Sequence, residues 1–245
     1  MNSLPPQPSI SIITQARMTS SRLPGKILLE AGGKTMLQHH IDRLTPAHHP
    51  IIIATTKNAT DDAIALFAHS TGLPCYRGEE HDVLSRFYEA NEHYPADIIV
   101  RVTSDCPLID AQLIQQGINM YLALNDDRCY VSNCLPRTYA RGFDFEIFSA
   151  AMLREAHLQA TSQHDREHVT PFMREHHAKF MHNIAQIANN GALRLTLDTP
   201  EDFRLLTLLI DTTSALQMNY QDIEKTLLDH PEWIAINAHI EQKKV

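Results

Sequence analysis

Glycine and cysteine are both scarce in this chain of 245 residues: 8 Gly stand against 13 Pro, and the four cysteines fall at 75, 106, 129 and 134. No CxxC pair and no dense framework results, so reduced thiols are expected, with neither disulfides nor structural zinc. Basic residues are in deficit, 21 Lys and Arg against 29 Asp and Glu, for a formal net charge of −8. Without a basic run the chain is not expected to hold nucleic acid by counterion release, although local basic clusters can still bind small anions. Long apolar runs are missing as well. Asp97-Ile98-Ile99-Val100 is strand-sized, far short of the ~20 residues of a membrane helix. Met1 to Ile10 contains three prolines, no basic residue and no apolar core, so neither a signal nor a transit peptide is expected. A cytoplasmic protein with no membrane insertion is the expectation. No Gly/Ser linker, repeat or low-complexity stretch divides residues 1–245, which reads as a single domain.

What is present is an alternation of short β-branched runs with helical patterns, the mark of an α/β fold with a mostly parallel sheet covered on both faces. Strands are predicted at Ser9–Thr14, Pro50–Thr55, Leu73–Arg77, Asp97–Thr103, Tyr130–Asn133, Phe143–Phe148 and Leu193–Leu197. Leu37, Ile41 and Leu44 mark one amphipathic helix; Thr60 to His69 forms another, with Asp61 and Asp62 at its positive end. Further helices are predicted after Glu79–Asp82, from Asp110 to about Leu124, and from Thr199-Pro200-Glu201-Asp202, where Thr caps and Pro opens the first turn. Around residues 128–150 the βα rhythm breaks.

The densest chemical signal is Gln15-Ala16-Arg17-Met18-Thr19-Ser20-Ser21-Arg22-Leu23-Pro24-Gly25-Lys26, directly after the first strand. Arg17, Arg22 and Lys26, the hydroxyls of Thr19, Ser20 and Ser21 and a Pro-Gly turn suit a polyphosphate at the carboxyl end of a parallel strand. It is not a Walker loop, because Ile27 follows Gly25-Lys26 and Ser20 replaces the first glycine. A solvated basic turn is the plain alternative. Asp105 closes the best buried strand and Asp198 the last one; two carboxylates at one sheet edge can share a Mg²⁺ that also binds substrate phosphate. His164-Asp165-Arg166-Glu167-His168 fits the H-x-x-E-H zinc-protease pattern, but Pro171 follows too closely for that helix and no third ligand stands out. The doublets His39-His40, His48-His49 and His176-His177 read as surface histidines.

QARMTSSRLPGK resembles the corresponding loop of the cytidylyltransferases that make CMP-activated acidic sugars, CMP-Kdo synthetase and acylneuraminate cytidylyltransferase among them, and most of all the branch of spore coat polysaccharide biosynthesis protein F. Further matches in order are Ala54-Thr55-Thr56, Arg77-Gly78-Glu79-Glu80-His81-Asp82-Val83-Leu84, Arg101-Val102-Thr103-Ser104-Asp105-Cys106-Pro107-Leu108-Ile109-Asp110, Val131-Ser132-Asn133, Arg166-Glu167-His168-Val169-Thr170-Pro171 and Leu197-Asp198-Thr199-Pro200-Glu201-Asp202-Phe203. The resemblance implies a nucleotide-diphospho-sugar transferase fold, a Rossmann-like three-layer α/β/α sandwich, usually a homodimer. It also implies attack of a sugar hydroxyl on the α-phosphorus of CTP, loss of pyrophosphate, and a CMP-sugar for surface polysaccharide. By position, Arg17, Arg22, Lys26 and Asp105 would be catalytic. Ala16, Ser20 and Gly25 would join the three cations around the nucleotide, with Arg77 and Gly78 near the base. Arg166, Glu167 and His168 would face the acidic or amino sugar, and Asp105 and Asp198 would hold Mg²⁺. Asn189-Asn190-Gly191-Ala192 departs from the sugar-binding residues of the CMP-Kdo synthetases, which leaves the acceptor open. Two alternatives remain: a glycosyltransferase of this fold, which would carry a D-x-D motif where Thr103-Ser104-Asp105 stands, or a non-catalytic nucleotide-binding subunit.

Overall fold

In the computed structural model, residues 7–242 are described. Its β-branched runs become β1 (Ile10–Gln15), followed by a small hairpin of β2 (Glu30–Ala31) and β3 (Lys34–Thr35), then β4 (Ile51–Thr56), β5 (Cys75–Gly78), β6 (Ile98–Thr103), β7 (Tyr130–Ser132), β8 (Glu146–Ser149) and β9 (Met181–Asn183). All but the hairpin form one seven-stranded sheet in the order β5-β4-β1-β6-β8-β7-β9. β5, β4, β1 and β6 run parallel, β8 returns antiparallel to β6, β7 is antiparallel to β8, and β9 is parallel to β7.

The helices are α1 (Met36–Leu44), α2 (Asp62–Ser70), α3 (Val83–His93), α4 (Ala111–Leu124), α5 (Ala150–Gln159), α6 (Gln163–His168), α7 (Pro171–His176), α8 (Pro200–Thr212), α9 (Tyr220–Asp229) and α10 (Pro231–Ile234). Side chains alternate across the strands. Ile12, Ile53 and Val100 therefore enter one core and Ile13, Ile52 and Ile99 the other, one on each face of the sheet. The result is the Rossmann-like layered arrangement, a mostly parallel sheet with helices on both sides.

Local chemistry starts the helices where the sequence places them. The Asp110 carboxylate accepts from the Gln112 and Leu113 N–H groups to open α4. Thr199 and Asp202 form a reciprocal capping box, with Pro200 in the first turn of α8. Pro171, a helix breaker for α6, opens α7 instead.

Three expectations are corrected. Leu193–Leu197 is not a sheet strand: apart from a single bridge of Arg194 to Arg141 it is extended chain, bonded to the loops at Arg141 and Asp105 rather than to a strand edge. Phe143–Phe148 enters the sheet only at Glu146. Gly142 lies at φ +115°, where a Cβ would come within 2.7 Å of the Leu195 carbonyl carbon. The Asn133 side chain then bonds the Phe143 carbonyl and the Phe145 N–H in place of a ladder. Finally, His39 and His40 are buried rather than on the surface: His39 bonds the Ala31 carbonyl, and His40 bridges Thr14 Oγ1 and the Cys106 carbonyl. β9 had no counterpart among the predicted strands.

Candidate active site

The carboxyl ends of β1, β4, β5 and β6 meet at one edge of the sheet, and the chain leaving each end helps to build the site. Leaving β1, Ala16 N–H still bonds the Ala54 carbonyl, and the next turn is pinned at Met18. The Met18 N–H donates to Asp61 Oδ1 (2.9 Å), and its carbonyl accepts from Ser20 and Gly25. Gly25 takes φ +69°, the left-handed conformation that closes this turn and sets Lys26 inward. Asp61, at the start of α2, makes no side-chain cap bond; its buried carboxylate is spent on Met18, Thr55 and Thr56. Glu80 holds the other side of the loop through Thr19, Asn58 and, at 3.9 Å, Arg17.

Lys26 stands at the centre. Its Nζ lies 2.8 Å from Asp105 Oδ2 and 2.8 Å from Asp198 Oδ1, while Arg22 and Arg194 reach Asp198 Oδ2 at 3.0 and 2.8 Å. Burial alone would lower the Lys26 pKa, but the two carboxylates outweigh it and hold the ammonium above its ordinary value. Burial likewise pushes Asp105 up, and Lys26 overrides it, leaving that carboxyl at about 2. The two aspartates converge although Asp198 follows no sheet strand. The Leu197 N–H bonds the Asp105 backbone carbonyl (2.8 Å), which ties the two loops directly. His40 supports this floor from beneath; burial drives its pKa down to about 4 against the opposing pull of the Cys106 carbonyl and Asp105.

A cavity of about 210 Å³ opens over this cluster. Ala16, Arg17, Ser20, Arg22, Lys26, Asp105, Glu167, His168 and Asp198, all predicted site residues, line it together with Gln15, Val83, Arg86, Thr103 and Ser104. A second cavity of about 580 Å³ shares Arg17, Arg22, Asp105, Glu167, His168 and Asp198 as its boundary with the first. It extends over Arg101, Arg137, Arg141, Arg174, Asp144 and Glu146. Arg101 is paired with Glu146, which also accepts from Tyr130 and Thr170, and Arg137 is paired with Asp144. No hydrogen bond or ion pair engages the guanidinium of Arg141 or Arg174 among the described residues.

Four predicted site residues line neither cavity: Gly25, which shapes the turn that sets Lys26 inward, and Arg77, Gly78 and Arg166. Arg77 bonds the Thr56 and Asn58 carbonyls and Asp62. Gly78 lies behind the wall, where a Cβ would come within 3.0 Å of Arg86 Cγ. Arg166 is turned toward Asp82 and the His157 carbonyl. Arg86, Arg141 and Arg174 were missed by sequence reasoning. None lies in a cationic cluster or turn signature, and only the fold brings them to the cavities.

A parallel sheet with a cationic loop at its carboxyl edge, facing two carboxylates, is the arrangement of a nucleotidyltransferase. The sequence model of the cytidylyltransferase family matches residues 11–245, and the chain belongs to that family. It is 34% identical over 236 residues to the uncharacterized protein MJ1063 of Methanocaldococcus jannaschii, covering 94% of this chain and 95% of that one. It is 30% identical over 210 residues to spore coat polysaccharide biosynthesis protein SpsF of Bacillus subtilis, covering 82% and 85%. A solved cytidylyltransferase from Leptospira borgpetersenii superposes with a TM-score of 0.87 at 31% identity, over 97% of this chain and 100% of that one. No helix among the described residues is long and apolar enough to cross a membrane.

Proposed function

We propose that this cytidylyltransferase takes CTP as its nucleotide and an acidic sugar as its acceptor, forming a CMP-sugar for surface polysaccharide. The sugar hydroxyl oxygen bonds to the α-phosphorus, the bond from that phosphorus to the β-phosphate oxygen breaks, and pyrophosphate leaves. Displacement at phosphorus needs alignment of the attacking and leaving oxygens and neutralisation of charge on the leaving group. The observation that carries the reading is the convergence of Lys26 and Arg22 on Asp105 and Asp198 at the boundary between the two cavities. In this reading Arg17, Arg22, Lys26 and Ser20 hold the triphosphate in the smaller cavity. The acceptor occupies the larger one, where Arg141 and Arg174 offer guanidinium groups to its carboxylate. His168, whose pKa partial burial lowers from its ordinary value, lines both cavities and accepts the hydroxyl proton.

The donor set fits Mg²⁺. Asp105 and Asp198 present hard carboxylate oxygens to one point, already bridged by a cation, the Lys26 ammonium. No group of three or more metal-ligating side chains occurs among the described residues. Two carboxylates completed by substrate phosphates are how Mg²⁺ is commonly bound. Asp105 and Asp198 would hold the ion, which supplies neutralisation of phosphate charge.

Thermal-shift titration with CTP, UTP, ATP and GTP, each with and without Mg²⁺, tests the reading, because a ligand that binds only the native state raises its stability. A Mg²⁺-dependent shift selective for CTP is expected. A shift with a nucleotide sugar and none with any triphosphate would move the assignment to a glycosyltransferase.

A further inference from the structure

One cation in the wall of the smaller cavity has no ion-pair partner among the described residues. Arg86 lies one turn beyond Val83 on α3, so the two share a helix face, and both line the cavity. The residue is 1% exposed. Its Nη1 donates to the Glu79 carbonyl at 2.8 Å, and among the described residues its buried Nε has no partner and no carboxylate pairs with it. Every acid in the vicinity is already engaged. Asp61 serves Met18, Thr55 and Thr56; Glu80 serves Thr19 and Asn58; Asp82 serves Ser85 N–H and Arg166. Burial, and then the repulsion of Arg17, push the guanidinium down to about 10. The stem cannot swing out toward Gly78, which leaves only enough room for it: a Cβ at that position would meet Arg86 Cγ at 3.0 Å and Cβ at 3.1 Å.

An unpaired buried guanidinium is costly unless a ligand supplies acceptors. The charged groups around Arg86 are Arg17, Asp61, Glu80 and Asp82, whereas those around Lys26 are Asp105 and Asp198. The two cations therefore serve different ends of the cavity. Beside Arg86, Val83 and Ala16 provide apolar surface for a planar ring. We propose that Arg86 reads the nucleobase, its free N–H groups donating to the adjacent acceptors O2 and N3 of cytosine. Uracil carries a hydrogen on N3, so the same fork meets a donor there, and the planar geometry of the guanidinium makes the distinction. This inference rests on the assignment of CTP as the nucleotide.

Calorimetric binding of CTP, UTP and inorganic tripolyphosphate to the wild-type protein and to Arg86→Met and Arg86→Lys tests it. The wild type is expected to prefer CTP. Arg86→Met should weaken CTP roughly ten- to a hundredfold, bring CTP and UTP to near equality, and leave tripolyphosphate unchanged. Arg86→Lys, which keeps the charge without the fork, should lose the preference as well and covers the case in which the Met variant does not fold. A loss of tripolyphosphate binding in step with CTP would make Arg86 a phosphate ligand and overturn the proposal. Folded variants that keep the CTP preference would overturn it in favour of a structural role. A wild-type protein that binds tripolyphosphate but shows no preference for CTP would instead sink the CTP assignment itself.

Discussion

Apart from Arg86, the two adjoining cavities handle positive charge in opposite ways. In the smaller one Lys26 and Arg22 are closely matched by Asp105 and Asp198, and Asp198 is engaged at both oxygens, by Lys26 on one and by Arg22 and Arg194 on the other. In the larger one Arg101 and Arg137 have carboxylate partners, while Arg141 and Arg174 have none among the described residues. A matched cluster holds its geometry without a ligand, because each charge is stabilised by its neighbour. An unmatched guanidinium keeps its hydrogen-bonding capacity for an incoming anion. The first cavity is therefore preorganised by the protein, and the second awaits its ligand to complete the electrostatics.

The largest effect that would break this comparison comes from the matched side. Asp105→Asn removes one carboxylate from Lys26 and one expected metal ligand, and turnover measured by pyrophosphate release should fall on the order of a thousandfold with the fold intact by circular dichroism. An active variant would remove Asp105 from the mechanism.

The second prediction uses pH, which titrates the buried His40 beneath the matched cluster. Burial of the His40 ring holds its pKa at about 4, below the ordinary value of 6.5. The unfolded chain therefore takes up the proton first as pH falls. Stability from burying the neutral ring is complete above pH 6.5 and is lost progressively down to pH 4, by about 3 kcal/mol. Asp105, displaced to about 2 from 3.8, adds a further loss only below pH 3.8. Denaturant melts at pH 7.5 and 4.5 should show the first loss, and His40→Gln should shrink the difference between them; an unchanged difference would place the titrating group elsewhere.

The smallest effect sharpens the unmatched side. Arg141→Ala and Arg174→Ala should each raise the KM for an acidic acceptor by roughly tenfold while leaving that for CTP unchanged. An equal rise for both substrates would mean that the two cavities do not divide the ligands between them.

Much of the frame is legible in contiguous residues. Ile51-Ile52-Ile53 reads as a buried parallel strand because no polar residue interrupts it, and Asp110 and Thr199 announce their helices because a side-chain oxygen there meets unsatisfied N–H groups a few residues on. Leu193–Leu197 misleads for the same reason in reverse: its alternation is that of a strand, but the edge it meets is a pair of loops. The His39-His40 doublet looks solvated by composition, yet both rings find hydrogen-bond partners inside. Arg166 was expected at the sugar and is held by Asp82, 84 positions away in sequence.

The sequence alone determined the local features: the sheet strands on the parallel side, the helix starts, and three cations and three hydroxyls gathered in one loop after β1. Tertiary structure decided which charges are matched. Lys26 meets Asp105 across 79 positions and Asp198 across 172, and among the described residues Arg86, Arg141 and Arg174 find no ion-pair partner because the nearby acids are engaged elsewhere. Helix starts and strand runs follow from interactions among near neighbours in the chain, which the sequence displays. The partner of a charged side chain depends on where distant loops converge at the sheet edge, and that convergence exists only in the folded molecule.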